Sequence, residues 1–311
     1  MDWEILLQQL LNGLVLGSVY SLVALGYTMV YGVLGLINFA HGEVVMIGAL
    51  TAFSVGRLLQ ALLPGLPGPV VLLLATLAAI PVCMALGFVI ERVAYRPLRY
   101  APRLAPLITA IGVSILLQHI AMLVWGRNYH SFPQYLSNEP FNVLGASLTL
   151  VQVVIVVVAV AMMGGLMLLV HRTRLGRAMR ATAENQSIAG LMGVDINAII
   201  SVTFIIGSAL GAVAGVMVAA NYGVTHYYMG FLLGLKAFTA AVLGGIGNLG
   251  GAVLGGLLLG MIESLGAGYI GDLTGGVFGS NYQDVFAFFV LIIVLVMRPS
   301  GLMGERVAER A

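Results

Sequence analysis

The chain contains unbroken apolar runs that are as long as the hydrocarbon layer of a membrane is thick. The clearest is LTLVQVVIVVVAVAMMGGLMLLV, residues 148–170. About 20 apolar residues cross a bilayer as one helix, whereas lipid-facing strands alternate apolar and polar residues. Hydrophobic residues make up 60% of the 311 and charged residues only 8%, a composition that excludes an ordinary soluble protein. We therefore predict an all-α polytopic membrane protein, with one transmembrane domain over residues 1–311.

The apolar runs predict at least eight transmembrane helices. An acidic amino terminus outside the cell and a basic carboxy terminus inside require an odd number of crossings. Two short segments, 27–39 and 222–234, are candidates for the missing half-passes as broken or re-entrant helices. The amino terminus has no basic segment before its apolar run and is expected to be a retained first span. The predicted spans are 6–26, 40–60, 70–92, 104–125, 148–170, 196–220, 236–262 and 282–297.

The arginines predict the orientation, because short cytoplasmic loops are enriched in positive charge. The segments around 57–69, 126–147 and 264–281 carry almost none and are expected outside. A single cysteine, Cys83, excludes a disulfide framework or a cysteine metal site. Three basic clusters are expected in the cytoplasm: Arg92, Arg96, Arg99 and Arg103; Arg172, Arg174, Arg177 and Arg180; Arg298, Arg306 and Arg310.

Glycine occurs 41 times and predicts close helix packing as well as two interruptions. Pairs four residues apart, such as Gly13 and Gly17 or Gly211 and Gly215, let two helix backbones approach closely in lipid. The stretch AVLGGIGNLGGAVLGG, residues 241–256, holds too many glycines for a regular helix interior and predicts an unwound turn. LGLINFAHGEVVMIGA, residues 34–49, concentrates polar groups in the same way. Two interruptions suggest an internal repeat of the kind that transporters use.

The polar residues of these interruptions are candidates for the translocation pathway: Asn38, His41 and Glu43 in the first, and Asn248 in the second. An ionisable residue at membrane depth is costly enough to indicate a pathway or a partner. The alternative is structural, with Asn38 and Glu43 capping the second half-helix. His41 and Glu43 are two positions apart and should diverge on a helix, which argues against a metal or proton-relay pair.

Other polar residues have simpler interpretations. Lys236 and Glu263 flank the last long segment and are expected to reach the membrane interface. His226, Tyr227 and Tyr228 are typical of an interfacial aromatic belt.

The polar segment GRAMRATAENQSIAGLMGVD, residues 176–195, lies in a predicted cytoplasmic loop that covers residues 171–195. It predicts a short amphipathic helix with Thr182 as its cap, Glu184 in its first turn and Gly193 as its end. Asp195 is expected to cap the next span. Three residues form a narrow apolar face beside polar neighbours: Ile188, Leu191 and Met192. The alternative is a solvated basic connector, which explains the arginines but not the apolar face.

This segment resembles the cytoplasmic coupling loop of permease subunits in branched-chain amino acid (LivH-type) ABC importers. Residues 12–49 and 236–256 resemble the same family, and the resemblance runs from about residue 5 to 300. It implies a second permease chain, similar or identical, two ATPase chains that bind ATP, an extracytoplasmic binding protein, and a bacterial or archaeal cytoplasmic membrane. The coupling residues implied are Arg177, Arg180, Glu184, Asn185, Ile188, Leu191, Met192 and Gly193. Related permeases carry urea, amides or other amino acids, and nothing in these residues separates those substrates.

Two other function classes compete with this one. An ion-coupled secondary transporter would need buried carboxylates, and Glu43 is the reasonable candidate. A membrane enzyme would need clustered acids and histidines, but the five histidines are scattered. The chain has no phosphate-binding lysine loop, since its single lysine is Lys236, and it contains no H-E-x-x-H zinc-protease motif. We therefore expect no cofactor in this chain, no catalysis and no nucleic-acid partner.

Overall fold

The structure, a computed structural model, describes residues 3–102, 104–137, 139–143, 145–275 and 282–304. Arg103, Arg306 and Arg310 lie outside these residues. The described chain folds into eleven α-helices and two small two-stranded antiparallel sheets. The helices are α1 Trp3–Leu34, α2 His41–Leu62, α3 Gly68–Val89, α4 Leu104–Trp125, α5 Leu150–Arg172, α6 Arg174–Glu184, α7 Gln186–Leu191, α8 Ile196–Tyr222, α9 Met229–Gly244, α10 Leu249–Leu273 and α11 Gln283–Met297.

Within the described residues, seven helical segments are long and apolar enough to cross a membrane, against the at least eight expected from the apolar runs. They are α1, α2, α4, α5, α8, most of α10 (Leu249–Gly271), and α3 together with the π and 3₁₀ turns that prolong it to Leu98. Two shorter apolar helices, α9 and α11, accompany them. The all-α polytopic prediction is thus confirmed, but two boundaries are wrong. Residues 27–34 continue α1, and the expected span 236–262 is divided between α9 and α10.

The core is built around α1, which packs against α8, α9 and α10, while α2, α3 and α8 form a second group beside it. Glycine allows these contacts. A Cβ on Gly17 would lie 2.7 Å from Leu257 Cα on α10, and a Cβ on Gly215 would collide with the Val45 carbonyl oxygen of α2. The predicted close packing along the glycine pairs is therefore confirmed.

The first interruption lies between α1 and α2. Gly35, with φ of +66°, ends α1, and an irregular segment follows as far as Ala40. His41, which begins α2, contacts Gly26, eight residues before the end of α1. Eight helical residues rise about 12 Å. The chain therefore turns back alongside α1, and α2 begins deep within the helical bundle rather than at its end.

The second interruption separates α9 from α10 and is the unwound turn expected from the glycine-rich stretch. Gly245 and Gly247 have φ of +105° and +97°, a backbone region that glycine adopts without a Cβ clash. Backbone bonds tie the turn to the segment after α11: Leu302 N–H donates to Leu243 O, and Met303 N–H to Gly244 O, both at 2.9 Å.

Two antiparallel strand pairs lie on the connections between helices. Strand β1, His130–Ser131, pairs with β4, Val224–Thr225, and β2, Phe141–Val143, pairs with β3, Ala146–Leu148. His226 stacks on Tyr129 with ring centroids 4.2 Å apart and contacts Tyr227. Partial burial, and secondarily the nearby His130, lower the pKa of His226 below its ordinary value. The predicted aromatic cluster is thus a packed group that joins two connections.

Candidate functional site

The loop between α5 and α8 is folded into two short helices rather than one. Thr173 caps α6, its hydroxyl accepting a hydrogen bond from Gly176 N–H at 3.0 Å. Thr182, predicted to be a cap, lies inside α6 and donates to Ala178 O, and Glu184 is the last residue of that helix. The prediction was wrong because α6 begins more than two turns earlier, among the arginines, where Thr173 provides the cap.

The second helix, α7, begins and ends at residues whose local hydrogen bonds and backbone conformation define its ends. Asn185 caps it by accepting from Ile188 N–H at 3.0 Å. Gly193 follows with φ of +88°, and Asp195 caps α8 by accepting from Ala198 N–H at 3.1 Å. The predictions for Gly193 and Asp195 are confirmed. Asn185 and Gly193 define the two ends of α7, and Asp195 caps the start of α8, so α7 has a determined direction relative to α8.

The apolar face of α7 is uncovered. Ile188, Leu191 and Met192 are 58%, 87% and 82% exposed, while Ala189 on the opposite side is buried. Large apolar side chains exposed together are typical of an interaction surface. Four polar residues predicted with them are exposed as well: Arg177, Arg180, Glu184 and Asn185.

The loop is attached firmly to the helical bundle. Met179 of α6 is only 4% exposed and belongs to the main core. Gln186, in the first turn of α7, donates from Nε2 to the Val33 carbonyl oxygen at the end of α1, at 2.9 Å. These two contacts join the loop to the main core and to α1, the central helix of the fold.

Glu43, on the first turn of α2, is buried to 1% exposure and points towards α4. Its Oε1 accepts hydrogen bonds from Gln118 Nε2 at 2.7 Å and Ser114 Oγ at 3.0 Å. The alternative in which Glu43 caps α2 is therefore wrong, because its carboxylate binds another helix. Glu43 also lines a cavity of about 290 Å³ between α4 and α9.

His41 points away from Glu43, as the two-residue spacing predicts. Its ring lies between α1 and α8, against Gly26 and Gly211, and meets the Tyr27 ring edge-on at 5.0 Å. The ring is 1% exposed, and its Nε2 has no hydrogen-bond partner among the described residues. His41 thus occupies a helix crossing rather than the cavity that Glu43 lines.

Asn38 and Asn248 both shape the interruptions of the backbone. Asn38 Oδ1 accepts from Ala40 N–H at 3.1 Å, with the Tyr95 hydroxyl 3.2 Å away. Asn248 Oδ1 accepts from Gly251 N–H at 2.9 Å, and its Nδ2 donates to Met303 O at 3.1 Å. The side-chain amides of both residues are bonded to turns in this structure. The structure therefore does not bring the four predicted pathway residues together.

Two clusters of paired charges were not predicted from the sequence. Glu91, completely buried, forms ion pairs with Arg96 and Arg99 and accepts from Ser201 Oγ at 2.7 Å. In the sequence, this cluster is indicated only by the five-residue spacing of Glu91 and Arg96. A regular α-helix brings residues three or four apart together, and residues five apart less well. A π-helical turn over Ile90–Tyr95 makes that spacing suitable.

The second cluster corrects the interpretation of Lys236 and Glu263. Lys236 Nζ lies 2.7 Å from Glu263 Oε1 and 2.8 Å from Asp284 Oδ1, and Tyr20 donates to Glu263 Oε2 at 2.9 Å. Glu263 is 3% exposed, so neither side chain reaches for an interface. This cluster joins α1, α9, α10 and α11. Its members are far apart in the sequence, so no local pattern predicts it.

Comparison with known proteins identifies the family. Residues 9–295 match the branched-chain amino acid transport system permease component family. The chain is 50% identical over 309 residues to the high-affinity branched-chain amino acid permease BraD of Pseudomonas aeruginosa, covering 98% of this chain and 97% of that one.

Two further relatives are named for different transported substrates. LivH, a high-affinity branched-chain amino acid permease of Escherichia coli K12, is 44% identical over 310 residues, 98% of this chain and 97% of its own. The autoinducer 2 import permease LsrC of Photorhabdus laumondii is 33% identical over 129 residues, 40% of this chain and 37% of its own. Since the family match and the two long alignments cover nearly the whole sequence, the chain belongs to the branched-chain amino acid transport system permease family.

Proposed function

We propose that this chain is the membrane permease of a high-affinity ABC importer for branched-chain amino acids. The 50% identity to BraD over nearly the full length of both proteins carries the proposal. The chain itself transports and does not catalyse; ATP is hydrolysed by partner chains. A second permease chain and an extracytoplasmic binding protein complete the importer. The protein would lie in a cytoplasmic membrane of a bacterium or archaeon, with residues 171–195 and the carboxy terminus inside.

The coupling mechanism follows from the attachment of the loop. The exposed face of α7 would insert into a groove of the ATPase, with Ile188, Leu191 and Met192 at the desolvated centre. Arg177 and Arg180 would lie at the rim or near lipid headgroups. Closure of the ATPases on ATP would displace α7, and the Met179 and Gln186 contacts would transmit the displacement to the core and to α1.

Uptake by the assembled importer tests the proposal. The chain is reconstituted in vesicles with its partner permease, ATPases and binding protein, and entry of labelled leucine is measured with and without ATP. We expect ATP-dependent uptake that isoleucine and valine compete with. Uptake that a protonophore abolishes while ATP remains available would instead support an ion-coupled transporter. Absence of leucine uptake by an assembly that hydrolyses ATP would contradict the substrate.

The variant Leu191→Glu tests the coupling surface. Leu191 is 87% exposed, so the substitution should leave the fold intact. In a docked complex it would place an unpaired carboxylate in an apolar pocket, a cost of several kcal/mol. We expect the variant to lose co-purification with the ATPase and to lose uptake.

Arg180→Ala is the matched control, because a rim charge mainly changes the association rate. It should retain the ATPase. Normal ATPase retention and uptake by Leu191→Glu would exclude α7 as the coupling helix and leave the loop as a basic connector.

A further inference from the structure

The cavity between α4 and α9 combines one carboxylate with apolar walls. Glu43 lies at its inner end, and Phe39, Ile111, Ile115, Phe231 and Leu235 form much of the wall. Four of these, Ile111, Ile115, Phe231 and Leu235, are between 40% and 50% exposed and surround the opening. The volume of about 290 Å³ is near the lower end for small-molecule pockets, about 300–1,000 Å³. The cavity therefore suits a small amphipathic ligand.

The two oxygens of Glu43 have different environments. Oε1 accepts from both Ser114 and Gln118, which are four residues apart on one face of α4. Oε2 is buried and has no hydrogen-bond partner among the described residues. It lies near Gly230, where a side chain would occupy the space: a Cβ there would be 2.7 Å from Oε2. One oxygen is thus held in place while the other remains available to a donor.

The other buried glutamates each have a cationic partner, and Glu43 differs from them in this respect. Glu91 is paired with Arg96 and Arg99, and Glu263 with Lys236. No ion pair to Glu43 is found within the described part of the chain. A buried carboxylate without a cation is costly, and a ligand that brings a positive charge would reduce that cost. A primary ammonium group is compact and can donate to Oε2 while the two α4 donors stay bonded to Oε1.

We propose that Glu43 binds the ammonium group of an aliphatic amino acid during its passage, with the aliphatic side chain against the apolar wall. The inference rests on the proposed function and adds a specificity residue to it. The opening of the cavity then faces the aqueous pathway, where the carboxylate of the amino acid stays solvated. Gln118 and Ser114 are positioning residues, since both donate to Oε1 and so orient the carboxylate of Glu43.

Protection of a thiol at the opening tests the site in the assembled importer in nanodiscs, without binding protein. Ile115→Cys is introduced in a chain with Cys83→Ala, and its reaction with a charged methanethiosulfonate is timed. L-leucine and 3-methylbutylamine, which both carry an ammonium group, should slow the reaction. 4-Methylpentanoate, which has the same branched chain and carboxylate but no amine, should not. Adding Glu43→Gln should abolish the protection, whereas Glu139→Gln on an exposed connection should preserve it.

Three results would overturn the inference. These are equal protection by 4-methylpentanoate, protection that persists in Glu43→Gln, and failure of the charged reagent to react with Ile115→Cys, which would place the opening against lipid. Uptake separates this inference from the proposed function. Glu43→Gln should reduce leucine uptake about tenfold or more, the equivalent of one charged hydrogen bond, with ATPase association retained. Normal uptake by that variant would refute the site and leave the importer assignment standing.

A second pair of variants covers the case in which Glu43→Gln does not assemble. Ile115→Trp fills the opening and leaves Glu43 unchanged, so leucine uptake should fall while the ATPase remains bound. Val157→Trp adds the same bulk to an exposed position on α5 and should transport normally. Equal uptake by both tryptophan variants would overturn the inference. If the wild-type importer itself takes up no leucine, the proposed function fails, and the site fails with it.

Discussion

At the scale of single residues, the buried charges divide according to whether this chain neutralises them. Glu91 is completely buried, and Arg99, one of its two partners, has a side chain only 9% exposed. Such a pair adds little net stability compared with apolar residues, but removal of one partner leaves an uncompensated charge. The Glu91 cluster therefore holds the end of α3 to α8 through Ser201, and its loss should destabilise the fold.

We expect Glu91→Gln to lower the free energy of unfolding by about 3 kcal/mol or more, because Arg99 would keep its charge without a carboxylate. Arg92→Ala is the control, since Arg92 is exposed and the described residues contain no ion pair to it. Denaturant unfolding of the purified chain in detergent measures both. Similar losses in the two variants would show that the buried pair has no special role.

At the scale of the helices, glycine determines how closely neighbours pack. Gly215 faces the backbone of α2 at Val45, whereas Gly164, in the middle of α5, has no atom within 4 Å of where its Cβ would lie. Both are glycines inside apolar helices, and the sequence around each one does not distinguish them. What differs is the neighbouring helix.

Gly215→Ala should therefore destabilise the fold by about 1–3 kcal/mol, the cost of forcing α2 and α8 apart. Gly164→Ala should be neutral or slightly stabilising, because alanine is the better helix former by about 1 kcal/mol. Thermal inactivation of leucine uptake, compared between the two variants, gives the result. An equal effect of both changes would mean that the close contact between α2 and α8 does not determine stability.

At the scale of the whole molecule, α5 separates two connections that should lie on opposite sides of the membrane. The α6–α7 loop follows the end of α5, and Glu139 lies in the connection that precedes its start. The arginines of the loop predict that it is cytoplasmic. Ser187 and Glu139 are both exposed, so a cysteine at either position is accessible to a reagent on its own side.

In a chain with Cys83→Ala, we expect an impermeant maleimide added to whole cells to label the Glu139→Cys variant but not the Ser187→Cys variant. A permeant maleimide should label both. Labelling of the Ser187→Cys variant from outside would reverse the orientation and exclude contact between α7 and a cytoplasmic ATPase.

Much of this protein follows from its sequence alone. The apolar runs determine the helical membrane class because backbone groups in lipid must be bonded within each helix. Local chemistry also determines the end of α7, since a left-handed backbone at Gly193 and a cap at Asp195 need only neighbouring residues. The sequence predicts one helix capped by Thr182, whereas the structure has two, capped by Thr173 and Asn185, because several polar residues in that loop are suitable caps.

Only the tertiary structure decided the roles of the buried charges. Glu43 meets Ser114 and Gln118 more than 70 residues later, and Lys236 meets Glu263 and Asp284 on two other helices. Whether a carboxylate caps its own helix, pairs with a cation or faces a cavity depends on which helices cross beside it. Those crossings result from glycine contacts such as Gly17 with Leu257, and such contacts between distant segments leave no periodic signal in the sequence.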